Sequence, residues 1–122
     1  MARIMVADDA SFMRQMIREI VEGEGYEVVG EAADGDEAVE TYKQVQPDLV
    51  MMDIVMPRRS GIDSVKAILK LDPKARVVMC SALGQETLVA EAMDAGALDF
   101  IVKPFKPESV LATVKKVIEK ES

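Results

Sequence analysis

Asp48-Leu-Val-Met-Met-Asp53 is the stretch that decides the fold. Leu49 to Met52 are apolar without a break, so a strand here needs cover on both faces, as in a parallel sheet. The run ends on an acid. Ile54-Val-Met-Pro-Arg-Arg-Ser-Gly61 then follows, with Pro57 and Gly61 as breakers. Open parallel sheets bind ligands beyond the carboxyl ends of their strands. By itself the stretch leaves Asp53 two roles: a group at a ligand site, or a cap on a loop amide.

The same pattern repeats on both sides. Arg3-Ile-Met-Val-Ala7 is a short apolar run ending at Asp8-Asp9. Phe12, Met13, Met16, Ile17, Ile20 and Val21 then recur at helical spacing, and Gly23 and Gly25 close that helix. Tyr26 to Ala32 is more polar and partly alternating, which suits an edge strand. Asp34 with Glu37 forms a capping-box pattern before a helix that stops ahead of Pro47. After the central stretch, Ile62, Val65, Ile68 and Leu69 mark a third helix. Arg76-Val-Val-Met-Cys-Ser81 reads as a fourth strand. Leu88, Ala92 and Met93 lie on a fourth helix ending at Gly96. Phe100-Ile-Val-Lys103 reads as a fifth strand, and Pro107 suits the first turn of a last helix.

Five strand–helix units predict an α/β fold, a parallel sheet with helices on both faces. With the polar second strand at the margin, the expected order is 2-1-3-4-5, that of flavodoxin-like doubly wound sheets. All the strand ends then share one edge. Asp8 and Asp9, Asp53, Ser81 and Lys103 stand there together, and the three acids meet where strands one and three are neighbours.

Clustered carboxylates repel unless a cation lies among them. Lys103 supplies one charge, and a hard divalent ion suits the rest. Mg²⁺ fits such a set, binding through few carboxylates plus phosphate oxygens; the loop expected for calcium is absent. An Asp beside Mg²⁺, Lys and a Ser hydroxyl suits phosphoryl transfer through an aspartyl-phosphate.

Composition narrows the field further. At 122 residues and 49% apolar, a single domain is expected over 1–122. The charge is −7 with no basic run, which argues against direct nucleic-acid binding. There is no histidine, so no His triad and no His metal ligand. No apolar run approaches a membrane span, and no signal pattern opens the chain. The single Cys80 reads as a small buried hydrophobe, and a soluble, cytoplasmic setting is expected.

Asp8-Asp9, Asp53 with Met56-Pro57 and Gly61, Ser81-Ala82 and Lys103-Pro104-Phe105 together resemble the receiver domain of two-component response regulators. The resemblance runs from about Arg3 to Glu119. Each motif is weak alone; their order at successive strand ends is specific. Ala10-Ser-Phe-Met-Arg14 and Asp99 to Phe105 resemble stand-alone chemotaxis regulators of the CheY type, which carry no output domain.

The resemblance implies that Asp53 is the phosphoacceptor. Asp9 is implied as a direct Mg²⁺ ligand and Asp8 as one acting partly through water, with the Val55 backbone carbonyl as a further ligand. Either acid could also cap the first helix. Lys103 is implied to reach the phosphoryl group, where an ordinary surface lysine is the alternative. Ser81 is implied as the hydroxyl switch, against a hydroxyl that merely satisfies a backbone amide. Lys103–Pro104 is implied to be cis. Phe100 takes the place of a rotating aromatic, against a plain core Phe.

A histidine kinase of the CheA type is the implied donor, docking along the first helix near Phe12 to Arg18. The fourth helix, fifth strand and fifth helix form the implied target face. The implied target is a flagellar or archaellar motor switch. A phosphatase partner is possible, and a monomer is expected. Val55 and Leu83 are apolar where the family often has polar side chains, so they are expected to shield the acyl phosphate and slow its hydrolysis. Arg58-Arg59 either steers a phosphorylated partner or is a solvated pair; the solvated pair is preferred.

Three rivals differ in discriminating features. A phosphatase of the haloacid dehalogenase type needs a second Asp where Val55 stands. A flavodoxin needs flavin-stacking aromatics. A relay receiver, passing phosphate to a histidine phosphotransfer protein, keeps the same site and stays open.

Overall fold

The computed structural model describes residues 2–120. Five strands and five helices alternate: β1 (Arg3–Ala7), α1 (Ser11–Gly23), β2 (Glu27–Ala32), α2 (Gly35–Val45), β3 (Leu49–Asp53), α3 (Gly61–Leu71), β4 (Val77–Ser81), α4 (Glu86–Ala95), β5 (Asp99–Val102) and α5 (Pro107–Glu119). The strands form one parallel sheet in the order β2-β1-β3-β4-β5, as the pattern predicts.

Strand alternation divides the core between the two faces. Met5, Val50, Met52, Val77 and Met79 pack with Ala38, Val39, Val65, Ile68 and Ala92 of α2, α3 and α4. Ile4, Val6, Leu49, Met51, Val78 and Cys80 pack with Ile17 and Val21 of α1 and Val110, Val114 and Val117 of α5. Every residue of β3 is buried, which explains why its sequence shows no polar alternation.

Four strand limits differ by one residue from the sequence reading: β2 begins at Glu27, β4 at Val77 and β5 at Asp99, and β5 ends at Val102. Arg76 precedes β4, and its guanidinium donates to the Lys120 carbonyl at 3.1 Å. Lys103 lies just past β5, although its N–H still donates to the Ser81 carbonyl at 2.7 Å. The Lys103–Pro104 peptide is cis, as the resemblance implied.

The helix caps follow local chemistry. Asp34 accepts from the Glu37 N–H at 2.8 Å, and the Glu37 carboxylate accepts from the Ala33 N–H at 3.0 Å. The capping box is thus shifted by one residue on its return bond. Ser60 caps α3 by accepting from the Asp63 N–H.

Candidate functional site

The register brings the acids together. Ala7 of β1 pairs with Met52 of β3, so Asp8 and Asp53 are the next residues along two adjacent strands. Their positions continue the alternation on the α1/α5 face, as does Lys103 two residues past Ile101. Carboxylate oxygens of Asp8, Asp9 and Asp53 lie within 4.8 Å of one another. Asp8 and Asp53 are buried, and Asp9 is exposed.

Lys103 bridges the two buried acids. Its Nζ is 3.1 Å from Asp8 Oδ2 and 3.4 Å from Asp53 Oδ1. Asp8 Oδ1 accepts from the Ala10 N–H at 2.9 Å, so Asp8 both faces the site and holds the residue that opens α1. Among the described residues, no backbone amide donates to the Asp53 carboxylate, which removes the loop-cap reading.

Charge is incompletely balanced here. Burial and the neighbouring Asp8 push the Asp53 carboxyl up to about 6, against the opposing pull of Lys103. Burial alone would lower Lys103, but its hydrogen bond to Asp8 and the carboxylates around it raise it instead. Burial and the acidic neighbour oppose the ionised form of Asp53, and a cation among the carboxylates would favour it. All three side chains offer hard oxygen donors, so the set fits Mg²⁺. Asp8, Asp9 and Asp53 would hold the ion.

The Ser81 hydroxyl is buried and donates to the Ile101 carbonyl at 3.3 Å. It satisfies a carbonyl of β5, not an amide. Phe100 is 42% exposed and is no core residue. Beside it lies a groove of about 280 Å³ between α4 and β5, lined by Ser81, Leu83, Val89, Ala90 and Val102. Val55, two residues past Asp53, is 55% exposed, and Leu83, two past Ser81, is 81% exposed.

Several contacts escaped the sequence reading. Arg14 donates to the Asp8 carbonyl at 2.6 Å and to Glu31 at 3.0 Å, and Arg18 pairs with the same Glu31. The Glu31 carboxyl is thereby held below its usual range, chiefly by its hydrogen bond from Arg18. Arg58 and Arg59 reach solvent, as expected, but each also pairs with an acid. Arg58 lies 3.4 Å from Asp34 and Arg59 3.0 Å from Asp36, at the head of α2. Only the spacing of charged residues hinted at these pairs, since both partners lie far apart in sequence.

Comparison with known proteins agrees with this geometry. Residues 4–115 match the family model described as the response regulator receiver domain. The chain is 54% identical to the chemotaxis protein CheY of Thermotoga maritima over 115 residues, covering 94% of this chain and 96% of that protein. It is 52% identical to CheY of Bacillus subtilis, covering 95% and 97%. A solved CheX–CheY–BeF3–Mg²⁺ complex from Borrelia burgdorferi matches with a TM-score of 0.92 at 40% identity, covering 98% of this chain and 90% of that one. With its acids, lysine and hydroxyl at successive strand ends, this chain belongs to the response regulator receiver domain family.

Proposed function

We propose that this chain works as a stand-alone response regulator in a phosphorelay two-component system of chemotaxis. Asp53 accepts a phosphoryl group from a histidine kinase of the CheA type. The observation that carries this reading is the gathering of Asp53, Asp8 and Asp9 within 4.8 Å, with Lys103 on two of them. The near-complete coverage of the CheY relatives supports a single receiver domain acting alone.

An Asp53 carboxylate oxygen attacks the phosphorus of a phosphohistidine in line. The O–P bond forms as the P–N bond breaks, and that electron pair returns to the imidazole nitrogen. Mg²⁺, when bound, supplies positive charge to the phosphoryl oxygens. Lys103 is already oriented toward Asp53 and adds its charge on the same side. The Ser81 hydroxyl leaves the Ile101 carbonyl and donates to a phosphoryl oxygen. Phe100 then folds into the groove vacated beside Ser81, which reshapes the face of α4, β5 and α5. That face binds the target, the flagellar or archaellar motor switch. The protein is thus a two-state switch biased by a local gain of charge.

Resetting needs water. Its oxygen bonds to phosphorus, the Asp53 O–P bond breaks, and inorganic phosphate leaves with Asp53 restored as a carboxylate. A phosphatase partner would speed this step; the Borrelia relative was solved with CheX. The protein is cytoplasmic and monomeric in this reading. Among the described residues no helix is long and apolar enough to cross a membrane.

Incubation with acetyl phosphate and Mg²⁺ tests the core of this. One phosphoryl group should appear by intact mass and be absent from Asp53→Asn. No addition to the wild type, or addition that survives the substitution, refutes it.

A further inference from the structure

The loop at residues 54–60 carries the Val55 carbonyl, yet it is clamped from another element. Gly35 opens α2 and is buried. Its N–H donates to the Pro57 carbonyl at 3.3 Å. Its own carbonyl faces the Ser64 hydroxyl at 3.3 Å, and that hydroxyl also lies 2.8 Å from the Ser60 carbonyl. On either side of Gly35, Asp34 and Asp36 pair with Arg58 and Arg59. The Arg59 carbonyl oxygen comes so close to Gly35 that a Cβ there would overlap it. Arg58 sits at φ 68, a left-handed conformation that side chains bearing a Cβ rarely adopt. The loop therefore holds a shape its own sequence does not favour.

We propose that Gly35 is a positioning residue for the Asp53 site. Its missing side chain lets the loop seat against α2 at the depth that presents the Val55 carbonyl beside Asp53. Two features transmit a displacement. Pro57 has a fixed φ, and Met56 is buried in the core shared with α2 and α3. Pushing residues 57–59 off α2 therefore moves 55 and 56 as well. Gly61, whose N–H donates to the Ile54 carbonyl at 2.7 Å, closes the far end of the loop. This role rests on the metal-assisted reading given above.

Titration of the unphosphorylated protein with Mg²⁺ by calorimetry tests it, using wild type, Gly35→Ala and Val39→Ala. Displaced supporting groups typically weaken a metal site about 10–100-fold, and Gly35→Ala should weaken Mg²⁺ by at least about tenfold. Val39→Ala hollows the buried face of α2 one turn beyond Gly35 and leaves the Gly35 hydrogen bonds to the loop in place, so it should lower the melting temperature and keep wild-type affinity. Equal affinity in Gly35→Ala and wild type overturns the role. So does an equal loss in Val39→Ala, which would trace to general loosening of α2.

If Gly35→Ala does not fold, the ion pair carries the test. Arg59→Asp should weaken Mg²⁺ by about threefold, the scale of an exposed pair, and adding Asp36→Arg should restore it. No difference between the single and double variants overturns the proposal. A wild type that takes phosphoryl from acetyl phosphate while Gly35→Ala keeps its affinity sinks the positioning role alone. A wild type that neither binds Mg²⁺ nor takes phosphoryl sinks the functional reading, and this role with it.

Discussion

Lys103 Nζ stands 3.4 Å from Asp53 Oδ1 and slightly nearer, at 3.1 Å, to Asp8 Oδ2. One ammonium therefore serves two buried acids, and Asp53, the proposed nucleophile, receives the lesser share. Lys103→Met should cut phosphoryl uptake from acetyl phosphate by about 10²-fold, the scale of losing one preorganised charge at a transition state. Uptake at the wild-type rate would remove Lys103 from the chemistry. The substitution should also destabilise the fold, because Asp8 stays buried with only the Ala10 N–H.

The raised Asp53 carboxyl gives a stability prediction with a definite sign. Its folded value, about 6, lies above the usual 3.8. Such a group favours folding fully below about pH 4, and the benefit is lost as pH rises through 6. In the metal-free wild type at pH 7.5, an ionised Asp53 therefore opposes folding. Asp53→Asn should stabilise the protein there by about 1–2 kcal/mol, after discounting for solvent screening. The gain should vanish near pH 4 and shrink when Mg²⁺ is added. Urea melts at the two pH values, with and without chelator, check both signs.

What the sequence made legible follows from range. Hydrophobic runs of three or four residues marked four of the strands, and the parallel order brought Asp8, Asp53 and Lys103 to one edge without any side-chain detail. Asp34 and Glu37 announced their cap because a cap is a contact three residues long. Glu31 with Arg14 and Arg18, and Asp36 with Arg59, stayed hidden. Those pairs depend on how helices lie over the sheet, and charge spacing alone does not specify that. The exposure of Phe100 was equally unreadable, since an aromatic in a short apolar run looks the same facing in or out.

Ser81 and Phe100 should separate phosphorylation from its readout. The hydroxyl now bonds to the Ile101 carbonyl, one residue from Phe100. Ser81→Ala loses that bond at a cost of about 1 kcal/mol, and it leaves Asp53, Asp8 and Lys103 in place. The variant should still take up phosphoryl from acetyl phosphate. Beryllofluoride with Mg²⁺, the pair held by the Borrelia complex, should shift the Phe100 ring resonances in wild type and barely move them in Ser81→Ala. Equal shifts in both would uncouple Phe100 from the hydroxyl.

The lifetime of the acyl phosphate should be set at the rim. Val55 follows Asp53 by two residues and Leu83 follows Ser81 by two, and both side chains are apolar and exposed. Neither side chain can hydrogen-bond a water, orient it or take its proton. Leu83→Glu supplies such a group, and Val55→Asn an amide that can hold the water in line. Positioned bases contribute about 10²–10⁴-fold elsewhere, and a rim carboxylate without tuned geometry should give a small part of that. The half-life of phosphorylated protein, followed by intact mass after removing the donor, should therefore fall at least about tenfold in the double variant. Uptake should change less, because the Asp53 carboxylate and Lys103 are untouched. An unchanged half-life would mean that the apolar side chains at 55 and 83 do not govern hydrolysis.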